Sequence, residues 1–149
     1  MAAPRGSIAV ALARRGPAAI LFAPSLALII VAAILKPDPA GIGTHEQLGL
    51  SPCGFVAEHG IPCISCGMTT SFALMADGRI LSSFITQPAG ATLALITAMI
   101  VLVSGWSLIT GASLKPIFDF LWRPRAILWL GALILGAWGY TIFTFHGTH

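Results

Sequence analysis

The chain has 149 residues, of which 56% are hydrophobic and 9% charged, and its mean hydropathy is +0.90. A soluble domain carries about 25% charged residues, and a disordered chain or a nucleic-acid arm shows the opposite bias, so lipid is the expected solvent for much of this one. The net charge of +3 (8 Lys+Arg against 5 Asp+Glu) is divided between membrane flanks, and no nucleic-acid partner is expected from it.

Taken in chain order, residues 1–16 form a basic segment with Arg5, Arg14 and Arg15 and no acid. The first apolar run, 17–35, is close to the length of about 20 residues that crosses a bilayer. Pro24 falls near its start and can kink it without breaking it. A cleaved signal peptide is the competing reading of residues 1–35, and Arg14-Arg15 ahead of the run is similar to a twin-arginine signal. The run is longer than a usual signal core and lacks a small-x-small site before Lys36, so a retained helix is expected.

Residues 36–88 form a long segment that opens with Lys36-Pro37-Asp38-Pro39, which cannot continue a helix. Its middle is loop-like yet apolar, with Leu48, Leu50, Phe55, Val56, Ile61 and Ile64 among glycines and prolines. A short helix is expected over 67–76, ended by Asp77-Gly78, and a second over 79–86. The second puts Ile80, Leu81, Phe84 and Ile85 on one face and Ser82, Ser83 and Thr86 opposite, the pattern of an interfacial helix. Together they read as a re-entrant or interfacial helical hairpin. A second span follows at 89–109, a basic loop at 110–125, a third span at 126–145 and an outer tail at 146–149.

The fold class is therefore an all-α membrane protein with three transmembrane helices and a hairpin between the first and second. Each span must be helical because backbone in hydrocarbon has no other hydrogen-bond partners. The first flank and the 110–125 loop, with Lys115, Arg123 and Arg125 against Asp119, are rich in Lys and Arg; segment 36–88 is not. The positive-inside rule then places the N-terminus and the 110–125 loop in the cytoplasm and the 36–88 segment outside. Trp106, Trp122 and Trp129 on one side and Tyr140, Phe143 and Phe145 on the other suit aromatic belts. Small residues at Ala19/Ala23/Ala27, Gly90/Ala94/Ala98 and Ala132/Gly136 are expected to be ridges of close helix approach.

All three cysteines, Cys53, Cys63 and Cys66, lie in the outer segment, two of them in a C-x-x-C-G turn. Such a turn suits a metal or a disulfide. Structural zinc needs four tetrahedral ligands, which His45 or His59 would complete; thiolates also suit other thiophilic metals such as copper(I) or iron. In the redox version Cys63 and Cys66 act alone, and Cys66 at the start of the 67–76 helix is the thiol whose pKa the dipole should lower. The oxidising outer face favours a disulfide. The plain alternative is that all three are small side chains packing a loop. Thr69, Thr70 and Ser71 could supply hydroxyl ligands, or bond back to helical carbonyls. Arg79 suits lipid phosphate, another helix's acid, or simple solvation. His146 and His149 are given no role.

The string Thr44-His45-Glu46-Gln47-Leu48-Gly49-Leu50, followed by Pro52-Cys53, Pro62-Cys63-x-x-Cys66-Gly67-Met68-Thr69-Thr70 and Gln87-Pro88, resembles the domain-of-unknown-function 2752 family of small bacterial membrane proteins over roughly residues 44–109. The resemblance implies a multi-pass inner-membrane protein and brings no activity with it. Two roles are then expected from the residues. One is a membrane metal or thiol-redox site; the other is an accessory subunit whose partners are the lipid bilayer and other membrane subunits or a second copy. A conventional catalyst is not expected. The chain has no H-E-x-x-H, P-loop or G-x-G-x-x-G and no G-x-S-x-G, and it has no charge inside a span. Only Cys66 with His45 or His59 could supply a nucleophile and base.

Overall fold

The structure, a computed structural model, describes residues 5–115, 119 and 123–144. Among these the regular elements are all helical: α1 (Arg5–Ile34), a single 3-10 turn (Thr44–Leu48), α2 (Gly54–His59), α3 (Met68–Ala76), α4 (Ile80–Thr86), α5 (Pro88–Thr110) and α6 (Pro124–Thr144). Three stretches are long and apolar enough to cross a membrane, Arg15–Ile34, Pro88–Thr110 and Pro124–Thr144, in close agreement with the three expected spans. α1 runs through Pro17 and Pro24 without interruption. Trp122, Phe145, His146 and His149 lie outside the described residues.

The spans turn their large side chains outward. Leu102, Ile109, Leu128 and Phe143 are all exposed, which suits lipid rather than water. Trp106, Trp129, Tyr140 and Phe143 of the expected aromatic belts are exposed as well. What the helices bury against one another is small: Ala18, Ser25 and Ala32 on α1, and Ala91, Ala94, Ser104 and Ser107 on α5. Small side chains let two backbones approach, and Gly105 shows how closely. A Cβ there would stand 3.2 Å from the Phe22 ring.

Of the three expected small-residue ridges, the one on α5 is the most buried. Gly90 and Ala94 are buried, with Ala98 half-buried. Ala19, Ala23 and Ala27 are exposed instead, and the buried line on α1 falls at Ala18, Ser25 and Ala32. That seven-residue step keeps one line of small side chains against α5. On α6 the buried residues are Ala137 and Thr141, while Ala132 and Gly136 are exposed. A four-residue count of small side chains cannot distinguish neighbouring lines on a helix this rich in alanine.

α3 sits at the centre of the packing, touching α1, α4, α5 and the 3-10 turn. It stops in a Schellman motif: Gly78, at φ +75, donates to Met75 O (3.1 Å), and Arg79 N–H donates to Leu74 O (2.9 Å). α4 then folds back along α3. Its polar side turns inward, with Ser83 fully buried, while Ile80, Leu81 and Ile85 are exposed. The face division expected for an interfacial helix is present, but its buried hydroxyl meets protein rather than water. α5 starts at Pro88, where a missing N–H costs nothing. Gln87 caps it by accepting from Gly90 N–H (2.8 Å).

Candidate metal centre

The segment between α1 and α5 is built by short bonds between its polar side chains. Gln47 is doubly joined to the end of α1, accepting from Lys36 N–H (3.1 Å) and donating to Lys36 O (2.6 Å). Thr44, fully buried, accepts from Asp38 N–H (2.9 Å) and pairs with Thr70 Oγ1 on α3 (2.8 Å). Ser71, one residue on, lies 2.8 Å from Ser83 Oγ and 3.1 Å from Gln87 O, and Ser83 Oγ donates to Ser71 O (2.7 Å). These hydroxyls reach across between elements. Their bonds run to other elements rather than back to carbonyls of their own helix, the second of the roles considered for Thr70 and Ser71. Thr69 is half-buried, and Arg79 is exposed just ahead of α4.

On this frame rests the turn 62–67. Pro62 is buried and its carbonyl accepts from Trp138 Nε1 on α6 (3.1 Å). Cys66 N–H closes the turn on Cys63 O (3.1 Å), and Met68 N–H bonds Ser65 O (3.1 Å). Gly67 follows at φ +81, and a Cβ there would stand 3.1 Å from Gly41 O, so both conformation and space call for glycine. Gln87 lies beneath, its amide directed at Ile64 O (3.5 Å).

The turn brings the cysteines together. Cys63 Sγ and Cys66 Sγ are 2.8 Å apart, Cys66 Sγ and Cys53 Sγ 3.2 Å, and Cys53 Sγ and Cys63 Sγ 3.5 Å. Cys53 comes from the residue preceding α2 and contributes from a separate stretch of chain. Cys66 is buried; Cys53 and Cys63 are half-buried. Cys63 N–H also points at Cys66 Sγ (3.2 Å), and Ser65 Oγ lies 3.3 Å from Cys63 Sγ. Donors aimed at sulfur favour the thiolate.

The two thiols of the turn are driven apart. Burial pushes Cys63 up, but hydrogen bonds with Cys66, Ser65 and Cys53 outweigh it and bring it down from 9.0 to about 7. Cys66 is pushed up, first by burial and then by its bonds to Cys63 and Cys53. The acidic thiol is therefore Cys63, opposite to the expectation that the α3 dipole would act on Cys66. The helix begins only at Met68, with Gly67 as its cap, so Cys66 lies two residues ahead of the first helical residue, and its burial dominates.

The trio can hold a metal ion. Zinc binds thiolate at about 2.3 Å in tetrahedral sites, which places sulfurs about 3.8 Å apart. The three sulfurs would need to spread modestly to admit the ion. A disulfide needs about 2.05 Å, so Cys63 and Cys66 would have to close by a similar amount. Neither histidine joins the group. Among the described residues the three sulfurs are the only group of three or more His, Cys, Asp or Glu ligand atoms gathered within 4.8 Å of one another. His45 Nε2 lies instead 3.2 Å from Ser51 O. His59 stacks on Phe55 with ring centroids 4.6 Å apart, and its Nδ1 is 4.0 Å from Glu58.

Sequence reading missed the inward hydroxyls Thr44 and Ser83, the amide of Gln87, and the indole of Trp138. Nothing local marked Trp138, whose partner is 76 residues away. No curated protein and no solved structure matches the chain. Residues 53–101, which carry all three cysteines, α3, α4 and the first half of α5, match the family described as "Protein of unknown function (DUF2752)", the family that the cysteine turn resembles.

Proposed function

We propose that the chain is a small accessory subunit of the cell's inner membrane that carries a structural metal ion, of zinc or another thiophilic kind, on Cys53, Cys63 and Cys66 of its outer segment. One observation carries this reading: sulfurs from two separate stretches of chain, all three cysteines the protein has, converge within 3.5 Å. A disulfide would use two of them and leave the third without a task, whereas thiolates in threes are a metal's preferred donors. The subunit role is supported by the outward apolar faces of the spans, which suit lipid and neighbouring membrane subunits or a second copy. The charge distribution supports an N-terminus on the cytoplasmic side.

The test is elemental analysis of the detergent-solubilised chain beside its Cys53→Ser, Cys63→Ser and Cys66→Ser variants. The reading predicts about one metal per chain, lost in each variant. Three free thiols and no metal would remove it.

A second reading is favoured by the 2.8 Å approach of Cys63 to Cys66 and the acidity of Cys63: the pair forms a disulfide and exchanges it with other thiols. In that case no metal is found, and two thiols appear only after reduction.

A further inference from the structure

Resting on the three-thiolate reading, we infer that the bound ion keeps one open coordination position, filled by a single neutral nitrogen or oxygen donor from outside the chain. Three observations converge. The cluster supplies three sulfurs, and no other His, Asp or Glu ligand atom among the described residues lies with them within 4.8 Å. Both histidines nearest in sequence are turned to other tasks, His45 at the Ser51 carbonyl and His59 on the Phe55 ring. The cluster is also reachable, because Cys53 and Cys63 are half-exposed while Cys66 forms its buried base.

The charge of the site selects the kind of donor. A divalent ion with three thiolates already carries one net negative charge, and a fourth thiolate would add another beside an apolar loop. Charge without a partner is costly away from water, so a neutral imidazole or water is preferred over a second anion. Zinc sites with four protein ligands are closed and structural, whereas three protein ligands leave a position at which a small molecule or a partner's side chain exchanges. The centre is therefore a docking point for a neutral donor group, such as an imidazole presented by another membrane subunit.

The experiment loads the reduced, detergent-solubilised full chain with cobalt(II) and follows its visible ligand-field bands while imidazole is added. It is run in parallel on a variant in which all four histidines, His45, His59, His146 and His149, are replaced by alanine. The expected result is a saturable shift of the bands with imidazole, the same in both proteins, with cobalt stoichiometry unchanged by the substitutions. Bands indifferent to imidazole, or bands lost in the histidine-free variant, would show a closed site and overturn the inference while leaving the thiolate centre intact. Failure of the native chain to bind cobalt at all would overturn both.

Discussion

The three spans and the segment that joins the first two are built on different terms. The spans bury small residues such as Ala18, Ala32, Ala91 and Ala94 and leave their large apolar side chains outside. The joining segment does the reverse with its polar groups. Thr44, Thr70, Ser71, Ser83 and Gln87 are all at most 1% exposed, and each has a hydrogen-bond partner. A span is thus specified by composition and length, properties that many sequences share. The segment is specified by individual bonds, and a buried polar group that loses its partner is costly. The three cysteines lie in the second region, where position is controlled side chain by side chain.

The sharpest consequence lies inside the cysteine cluster. In the reduced, metal-free protein, Cys63 is held at about 7 and Cys66 is raised. Since the thiolate is the nucleophile, alkylation by iodoacetamide at neutral pH should be at least about 50-fold faster at Cys63, from a separation of two or more pH units. Its rate should be half-maximal at about pH 7 and level about one pH unit above. Stability follows the same sign: Cys63's folded value lies below the unfolded 9.0, so the thiolate's contribution is complete above pH 9.0 and is lost as pH falls through about 7. Peptide mapping by mass spectrometry reads both sites, and equal rates at the two would contradict the assignment.

Glycines offer the next contrast. A Cβ on Gly90 would stand 2.9 Å from Ser71 Cβ and 3.2 Å from Met68 Cα, whereas one on Gly136 would meet nothing within 4 Å. Gly90→Ala should destabilise by about 1–3 kcal/mol through overpacking. Gly136→Ala should be neutral or slightly stabilising, since alanine is the better helix former. Thermal unfolding of each in the same detergent measures the difference, and equal midpoints would erase the distinction between a span position packed on the joining segment and one that is not.

The hydroxyls give the smallest effect. Ser71→Ala removes bonds at Ser83 and Gln87, yet it orphans no carbonyl: Ser83 O still accepts from Gln87 N–H and Gln87 O from Ala91 N–H. A loss of about 1 kcal/mol is expected. Thr110→Ala, at the exposed end of α5, should lie within about 0.5 kcal/mol of the native chain. Denaturation of the two variants side by side would sharpen the contrast, and a larger loss for Thr110 would break it.

The same contrast explains what could be read in advance. The spans were legible because length and the absence of charge define them, and α3 and α4 because Asp77-Gly78 marks the turn between them. α2 and the 3-10 turn were not. Each is a short element held by tertiary contacts, too brief to show a period. The cysteines were legible as a pair plus one, but nothing local required Cys53 to return to the turn; that follows from the folding of residues 54–62. The histidines illustrate the opposite limit. His45 and His59 have the residue type of a fourth ligand, and sequence proximity to the cysteines is all that spacing could offer. In the fold Ser51 and Phe55 engage them instead.

The most direct test of the three-thiolate centre is X-ray absorption at the zinc edge of the zinc-loaded full chain. The account predicts a shell of about three sulfurs at about 2.3 Å with one nitrogen or oxygen donor at about 2.0–2.2 Å. A shell of nitrogen and oxygen without sulfur would contradict it, because the ion would then be held somewhere other than Cys53, Cys63 and Cys66.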